Sequence, residues 1–107
     1  MNLEKTLEVA KKFDLYGNLL APKQKQMLES YINFDASLSE IAENFGMTRQ
    51  AVLDIVKQAT SKLDKIEEKL GFLKKIENAK QKVFNLSKDL TKKQQDSIIS
   101  IIQSLED

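Results

Sequence analysis

A group of side chains between positions 48 and 57 is the part of this sequence best suited to specific chemistry. Arginine, glutamine and lysine donate hydrogen bonds to base edges or phosphate oxygens, and aspartate accepts one from a base amino group. Such a group on one side of a helix predicts contact with nucleic acid. The alternative is an ordinary solvated face, because every soluble helix carries polar residues outward. The candidate residues are Thr48, Arg49, Gln50, Leu53, Asp54 and Lys57.

Catalytic chemistry has little support in the same sequence. The 107 residues include no histidine and no cysteine. The chain therefore lacks the usual general base near neutral pH, a thiolate nucleophile and a soft metal site. Its three glycines, Gly17, Gly46 and Gly71, are isolated, so no glycine-rich phosphate loop is formed. We expect no enzymatic activity, no cofactor and no bound metal.

The candidate residues belong to a unit of two short-linked helices, residues 37–63. Ser37 and Glu40 have the spacing of a capping box, which starts the first helix. Gly46 follows where that helix needs a residue tolerant of positive φ in order to end. Thr48 is then a good N-cap for a second helix. This arrangement predicts a helix-turn-helix.

The second helix of this unit has two distinct sides at 3.6 residues per turn. Its predicted buried side holds Val52, Ile55, Val56 and Ala59. The opposite side carries Gln50, Asp54, Lys57 and Ser61, with Arg49 and Leu53 on one flank. In helix-turn-helix proteins the N-terminal half of the second helix enters the major groove, so this outer side is the predicted reader.

The run from Leu20 to Leu63 resembles region 4 of bacterial sigma factors. Over about residues 3–72 the chain also resembles the YlxM family, small sigma-region-4-like proteins of low-GC Gram-positive bacteria and their wall-less relatives. Three segments carry this resemblance: FDLYGNLLAPKQKQMLESYI, LSEIAENFGMTRQAV and LDKIEEKL. It implies a helix-turn-helix protein whose gene neighbours those of the signal recognition particle GTPases and which regulates that targeting pathway.

The chain departs from the sigma-like pattern on the outer side of the second helix. Sigma-like readers commonly present several basic residues there, whereas Ala51 and Leu53 are uncharged and Asp54 is acidic. A carboxylate facing the groove is repelled by phosphates unless it accepts from a cytosine amino group. Because phosphate contacts supply most of the affinity, we expect weak and salt-sensitive duplex binding.

The distribution of charge also predicts weak binding to duplex DNA. The chain has 17 basic and 16 acidic residues, a net charge of +1, which is poor for a stand-alone DNA-binding domain. Residues 37–71 hold five basic and six acidic side chains, whereas residues 72–107 hold seven lysines and five acidic side chains. The C-terminal lysines are therefore at least as good candidates for phosphate contacts as the predicted reading helix.

Two amphipathic helices are predicted before the turn unit: one runs from Leu3 to Leu20 and frays between Gly17 and Ala21, and the other runs from Pro22 to about Asn33. Their predicted core-facing residues are Leu3, Leu7, Ala10, Phe13, Tyr16 and Leu20, then Met27, Leu28, Tyr31 and Ile32. Lys23 and Lys25 fall in the exposed first turn of the second helix. In sigma-like domains that turn lies near the nucleic-acid backbone, so the resemblance makes them candidate phosphate contacts, with plain solubility as the alternative.

Apolar periodicity continues after the turn unit. It extends the reading helix to Gly71, which caps or bends it, and resumes from Phe72 to Leu86. Capping-box spacing at Thr91 and Gln94 then begins a last helix. We therefore expect a helix-turn-helix domain at 1–71 and a helical extension at 72–107.

The last predicted helix carries a narrow apolar stripe made of Ile98, Ile101, Ile102 and Leu105. So dense a stripe must be covered, either by the N-terminal helices or by the same surface of a second subunit. We favour a homodimer. No apolar run approaches the roughly 18 residues of a membrane-spanning helix. Charged residues also interrupt any N-terminal signal peptide, so we expect a soluble cytoplasmic protein.

Taken together, the sequence predicts an all-α, sigma-region-4-like helix-turn-helix bundle with a C-terminal helical extension. Its predicted function is regulation of the signal recognition particle pathway through binding of DNA or of the particle's RNA. A protein-interaction module that contacts a partner GTPase or another copy of itself is the alternative, favoured by the near-zero net charge and by Asp54.

Overall fold

The computed structural model describes the backbone of residues 3–106 and the side-chain environments of residues 6–105. This range is all-α, without a strand, and its first four helices contain the predicted helix-turn-helix. The helices are α1 (Leu3–Tyr16), α2 (Pro22–Asn33), α3 (Leu38–Phe45), α4 (Arg49–Leu70), α5 (Phe72–Ser87) and α6 (Lys92–Glu106), with a 3₁₀ turn (Gly17–Leu19) after α1. They form two compact units, α1 to α4 and α5 with α6. The predicted all-α fold class is confirmed.

Local hydrogen bonds fix the turn between α3 and α4. The Ser37 hydroxyl accepts the backbone N–H of Glu40 at 3.1 Å, and the Thr48 hydroxyl accepts that of Ala51 at 3.1 Å. Gly46 ends α3 in the left-handed conformation, with φ of 63°. Of the predicted Ser37–Glu40 capping box, only the serine half is present among the hydrogen bonds of the described residues. These caps set the boundaries of both helices.

The first unit has one core, to which all four of its helices contribute. Met27, Leu28 and Val52 are completely enclosed. The other buried side chains are Val9, Phe13, Tyr16, Leu20, Ile41, Ala42, Val56, Ala59 and Leu63. Partly buried side chains, Tyr31, Ile32 and Ile55 among them, pack around this core. Each fully buried large aliphatic side chain stabilises the fold by about 1.5–3 kcal/mol, so this cluster holds the four helices together.

One predicted core position on α1 is wrong. Leu7 is 53% exposed, whereas Val9, which the spacing argument passed over, is buried. Val9, Phe13 and Tyr16 recur at intervals of four and three residues and so share one narrow side of the helix. Leu7 precedes Val9 by two residues and therefore falls on the far side. Ala10 is half-buried, and the side chain of Leu3 lies outside the described residues.

Two polar contacts join α1 to the C-terminal half of α4. The Tyr16 hydroxyl donates to Oε1 of Glu67 at 2.6 Å in a partly buried position. Nζ of Lys12 lies 2.8 Å from Oδ1 of Asp64 in a more exposed position. A hydrogen bond to a charged acceptor stabilises by about 1.5–3 kcal/mol, more than an exposed ion pair. Both contacts hold α1 against the reading helix beyond the turn unit.

The second unit is an α5–α6 hairpin with a well-bonded turn. The Gln95 side chain donates to the carbonyls of Ser87 and Leu90, at 2.6 and 3.2 Å. Thr91 and Gln94 form both halves of the predicted capping box, at 3.0 and 3.2 Å. No described residue of this unit is buried, and three members of the apolar pattern predicted on α5 are exposed. Those three are Phe72, Ala79 and Leu86.

Candidate nucleic-acid interface

The outer side of α4 carries the residues predicted to read nucleic acid. Arg49, Gln50, Asp54 and Lys57 are all exposed, whereas Val52 on the opposite side is buried. Neither Arg49 nor Lys57 makes a salt bridge within the described part of the chain. Their cationic groups are therefore accessible to phosphate or base oxygens. The predicted exposure is present, while the reading role stays a prediction.

Two of these residues are already bonded to each other. Nε2 of Gln50 donates to Oδ1 of Asp54 at 3.0 Å, one helical turn along. This bond gives the carboxylate a local donor and occupies part of the glutamine amide. A nucleobase that hydrogen-bonds to the Gln50 amide or to the Asp54 carboxylate would first have to break this hydrogen bond. The sequence analysis missed the pair, although glutamine and aspartate four residues apart are known to interact on a helix surface.

Thr48 has a structural task at the start of the same surface. Its hydroxyl oxygen accepts the N–H of Ala51, which fixes where α4 begins. The first turn of α4 contains no acidic residue. An anionic group near that end is therefore favoured by the helix dipole, although the Asp54 carboxylate lies one helical turn further along. Thr48 thus places Arg49 and Gln50 at the entry of the reading helix.

Leu53 lies in a different environment from its polar neighbours. It is half-buried and lines an open groove of about 750 Å³ between α1 and α4. Val9, Tyr31, Leu38 and Val56 make the apolar part of the lining. Lys57, Ser61 and the Lys12–Asp64 ion pair add polar groups to the lining. The groove is lined by residues that are distant in sequence, so the apolar pattern of α4 alone could not predict it.

The two candidate lysines of α2 differ from each other. Lys23 is exposed, whereas Lys25 is half-buried and its Nζ donates to Oδ1 of Asn18 at 2.6 Å. That bond holds Lys25 against the 3₁₀ turn. Of the two, Lys23 is therefore better placed to contact a phosphate without losing an existing interaction. Both roles remain predictions.

Metal ligation has no candidate in the part of the chain that the structure describes. No group of three acidic side chains comes close enough together there to hold an ion. The polar surface of α4 offers donors and one acceptor carboxylate. Such groups bind a ligand through hydrogen bonds and charge.

Comparison with known proteins identifies the family. Residues 3–105 match the model of the UPF0122 family, whose description reads "Putative helix-turn-helix protein, YlxM / p13 like". The chain belongs to this family. It is 42% identical to the YlxM protein of Bacillus subtilis strain 168 over 108 residues, covering 99% of this chain and 97% of that protein. A family protein of Fusobacterium nucleatum is 37% identical over 99 residues, covering 92% of this chain and 96% of the relative.

Family membership confirms the predicted resemblance and agrees with the fold. Relatives reach beyond the genus Bacillus, since a family protein of Acetivibrio thermocellus is 40% identical over 88 residues, covering 82% of this chain and 75% of the relative. The family description names a helix-turn-helix and no reaction, so nucleic-acid binding is the class of function that it supports. None of the described helices is both long and apolar enough to cross a membrane.

Proposed function

We propose that this YlxM-family chain is a cytoplasmic nucleic-acid-binding regulator of the signal recognition particle pathway, built on a sigma-region-4-like helix-turn-helix. The observation that carries the proposal is the exposed set of donors on α4. Arg49, Gln50 and Lys57 follow directly on a turn fixed by Gly46 and Thr48. That is the position from which a second helix of this motif contacts nucleic acid.

The proposed ligand is duplex DNA or the RNA of the signal recognition particle. Resemblance to the YlxM family supports the pathway, because it implies that the gene neighbours those of the particle's GTPases. The low net charge of +1 favours a ligand that is held by few phosphate contacts. A structured RNA offers unstacked bases and shape in addition to its backbone, so it can be bound with fewer lysines than a plain duplex.

A second candidate function is a protein-interaction module for a GTPase of the same pathway. The Gln50–Asp54 bond favours it, because a carboxylate that is already hydrogen-bonded to a neighbouring side chain suits a protein surface better than a phosphate backbone. This candidate predicts binding to a GTPase that is insensitive to Lys57→Ala. It also predicts sensitivity to changes in the isoleucines of α6, such as Ile98→Ser.

The test is a titration of the full chain against labelled duplex DNA and against the particle's RNA, at 50 and 200 mM salt. We expect one of the two ligands to bind and to lose roughly tenfold or more in affinity across that range. Arg49→Ala should cost about 1–3 kcal/mol if its guanidinium makes a bidentate base contact. Lys57→Ala should reduce the dependence of log K on log salt by about one unit if its ammonium contacts a phosphate.

Lys62→Ala is the matched control for Lys57→Ala. Both lysines are exposed on α4, but they are five residues apart and so lie about 140° from each other around the helix. Equal losses of affinity in the two variants would mean that the titration detects only the removal of one positive charge, and no specific contact of Lys57. Binding to neither nucleic acid would overturn the proposal and leave the protein-interaction module.

A further inference from the structure

The α5–α6 hairpin leaves large apolar side chains in contact with solvent. Ile101 is 63% exposed and Leu105 is 76% exposed on α6, and Phe84 and Leu86 are exposed on α5. No described residue after Gly71 is buried. Units shorter than about 40 residues usually need disulfides, metals or oligomerisation to be stable, and this chain has no cysteine. The hairpin therefore requires a further apolar surface.

The apolar residues of α6 are arranged as a continuous stripe. Ile98, Ile101, Ile102 and Leu105 fall within an arc of about 100° at 3.6 residues per turn. The stripe passes from the half-buried Ile98 and Ile102 to the exposed Ile101 and Leu105. A helix with such a stripe buries it against another apolar helix side.

The surroundings of this stripe suit contact with an identical copy. From Ser97 to Leu105 the helix carries no charged residue, so two copies meet there without bringing like charges together. Ser97 donates to the carbonyl of Lys93 at 3.0 Å, and Ser104 donates to that of Ile101 at 2.6 Å. Both hydroxyl donors are thus satisfied within α6. They can be covered without leaving an unpaired donor.

We propose that the chain forms a two-fold symmetric dimer in which the α6 stripe packs antiparallel against the α6 stripe of a second copy. Ile101, midway between Ser97 and Leu105, lies beside its own counterpart at the two-fold axis. Two hairpins joined in this way make a four-helix bundle, which covers both stripes at once. The exposed part of the stripe on each copy, chiefly Ile101 and Leu105, supplies on the order of a few hundred Å². That is less than the roughly 800 Å² per partner of a standard interface, so the dimer is a weak one that forms at high protein concentration.

The first measurement is sedimentation velocity of the full chain between 1 and 200 μM. We expect twice the mass of one chain at the upper end. Ile101→Asp should raise the dissociation constant at least tenfold, because it places two carboxylates at the axis. Gln103→Asp is the control, since it adds the same charge at another exposed position of α6, about 160° around the helix. It should leave the dissociation constant within about twofold. A wild-type chain that stays monomeric at 200 μM, or equal effects of the two variants, would overturn the proposal.

A second measurement does not depend on how well an aspartate is tolerated. Because the chain has no cysteine, Ile101→Cys introduces the only thiol. Mild oxidation of this variant should give a covalent dimer within minutes, whereas Gln103→Cys should remain largely monomeric. Equal cross-linking of both, or of neither, contradicts the α6–α6 geometry. The proposal makes no use of nucleic-acid binding, so it can hold if the proposed function fails and can fail if that function holds.

Discussion

At the scale of single residues, the outer side of α4 combines exposed cations with a carboxylate that is hydrogen-bonded within the helix. Arg49 and Lys57 have their charges directed to solvent, while Asp54 accepts from Gln50 at 3.0 Å. Pairing with a neutral amide leaves the negative charge of Asp54 in place. Its Coulomb repulsion toward a phosphate backbone therefore persists, and it weakens as salt screens it. If α4 binds nucleic acid as proposed, we expect the Asp54 carboxylate to lower the affinity.

Asp54→Asn should therefore tighten binding to the ligand identified by the titration. We expect a gain of roughly threefold to tenfold at 50 mM salt and a smaller gain at 200 mM, because screening reduces the repulsion that the change removes. The new amide oxygen can still accept from Gln50, so the local geometry is kept. Asp14→Asn on the exposed side of α1 is the control for removal of one negative charge. A loss of affinity in Asp54→Asn would instead indicate that the carboxylate accepts from a base.

At the scale of helices, the position of α4 depends on a very short connection from α3. Gly46 is in the left-handed conformation, and the N–H of Met47 bonds back to the carbonyl of Ala42 at 2.9 Å. Thr48 then begins α4 with its hydroxyl bond to Ala51. Three consecutive residues thus end one helix, turn the chain and start the next. The direction of the reading helix is set there.

Gly46→Ala should destabilise the first unit by about 1–2 kcal/mol in chemical unfolding, because a Cβ disfavours positive φ. Beyond Gly46 and its two chain neighbours, no atom lies within 4 Å of the position that such a Cβ would occupy, so the cost is conformational and not steric. Gly46→Asn should recover part of the loss, since asparagine adopts this conformation more readily than alanine. Equal destabilisation by the two variants would point to a cause other than the backbone angle.

At the scale of the whole molecule, burial is distributed very unevenly between the two units. Every buried residue of the described chain belongs to α1, α2, α3, α4 or the connection between α1 and α2, and none belongs to α5 or α6. Local stability follows the amount of buried apolar surface. The first unit is therefore stabilised by its own core, while the stability of the hairpin depends on the surface that covers the α6 stripe.

Hydrogen exchange should report this difference directly. We expect backbone amides of the core, such as those of Leu28 and Val56, to exchange only through global unfolding. Amides of α5 and α6 should exchange much faster at low protein concentration and become more protected as concentration rises, because dimerisation covers the stripe. Core amides are the internal control, since dissociation does not expose them. Concentration-independent protection of α6 would argue against covering by a second copy.

Sequence alone determined the identity and limits of most helices. Capping residues and apolar periods are local signals, so helix ends can be predicted from them without knowing the fold. Examples are the helix starts at Pro22 and Arg49, the helix end at Gly46 and the Thr91–Gln94 capping box. The family resemblance was equally local, because it rested on short segments of the chain, and the family match confirmed it. The exposure of Arg49, Gln50, Asp54 and Lys57 followed from the same 3.6-residue period, whereas Leu53 is half-buried.

Tertiary structure alone decided the features that join distant parts of the chain. Spacing could not choose between Leu7 and Val9, because the side of α1 that faces the core is set by where α2 and α4 lie. Tyr16 meets Glu67 across 51 positions, and the groove beside Leu53 combines residues of four helices. Hydrogen bonds and packing of this kind depend on three-dimensional proximity, which a one-dimensional pattern does not encode.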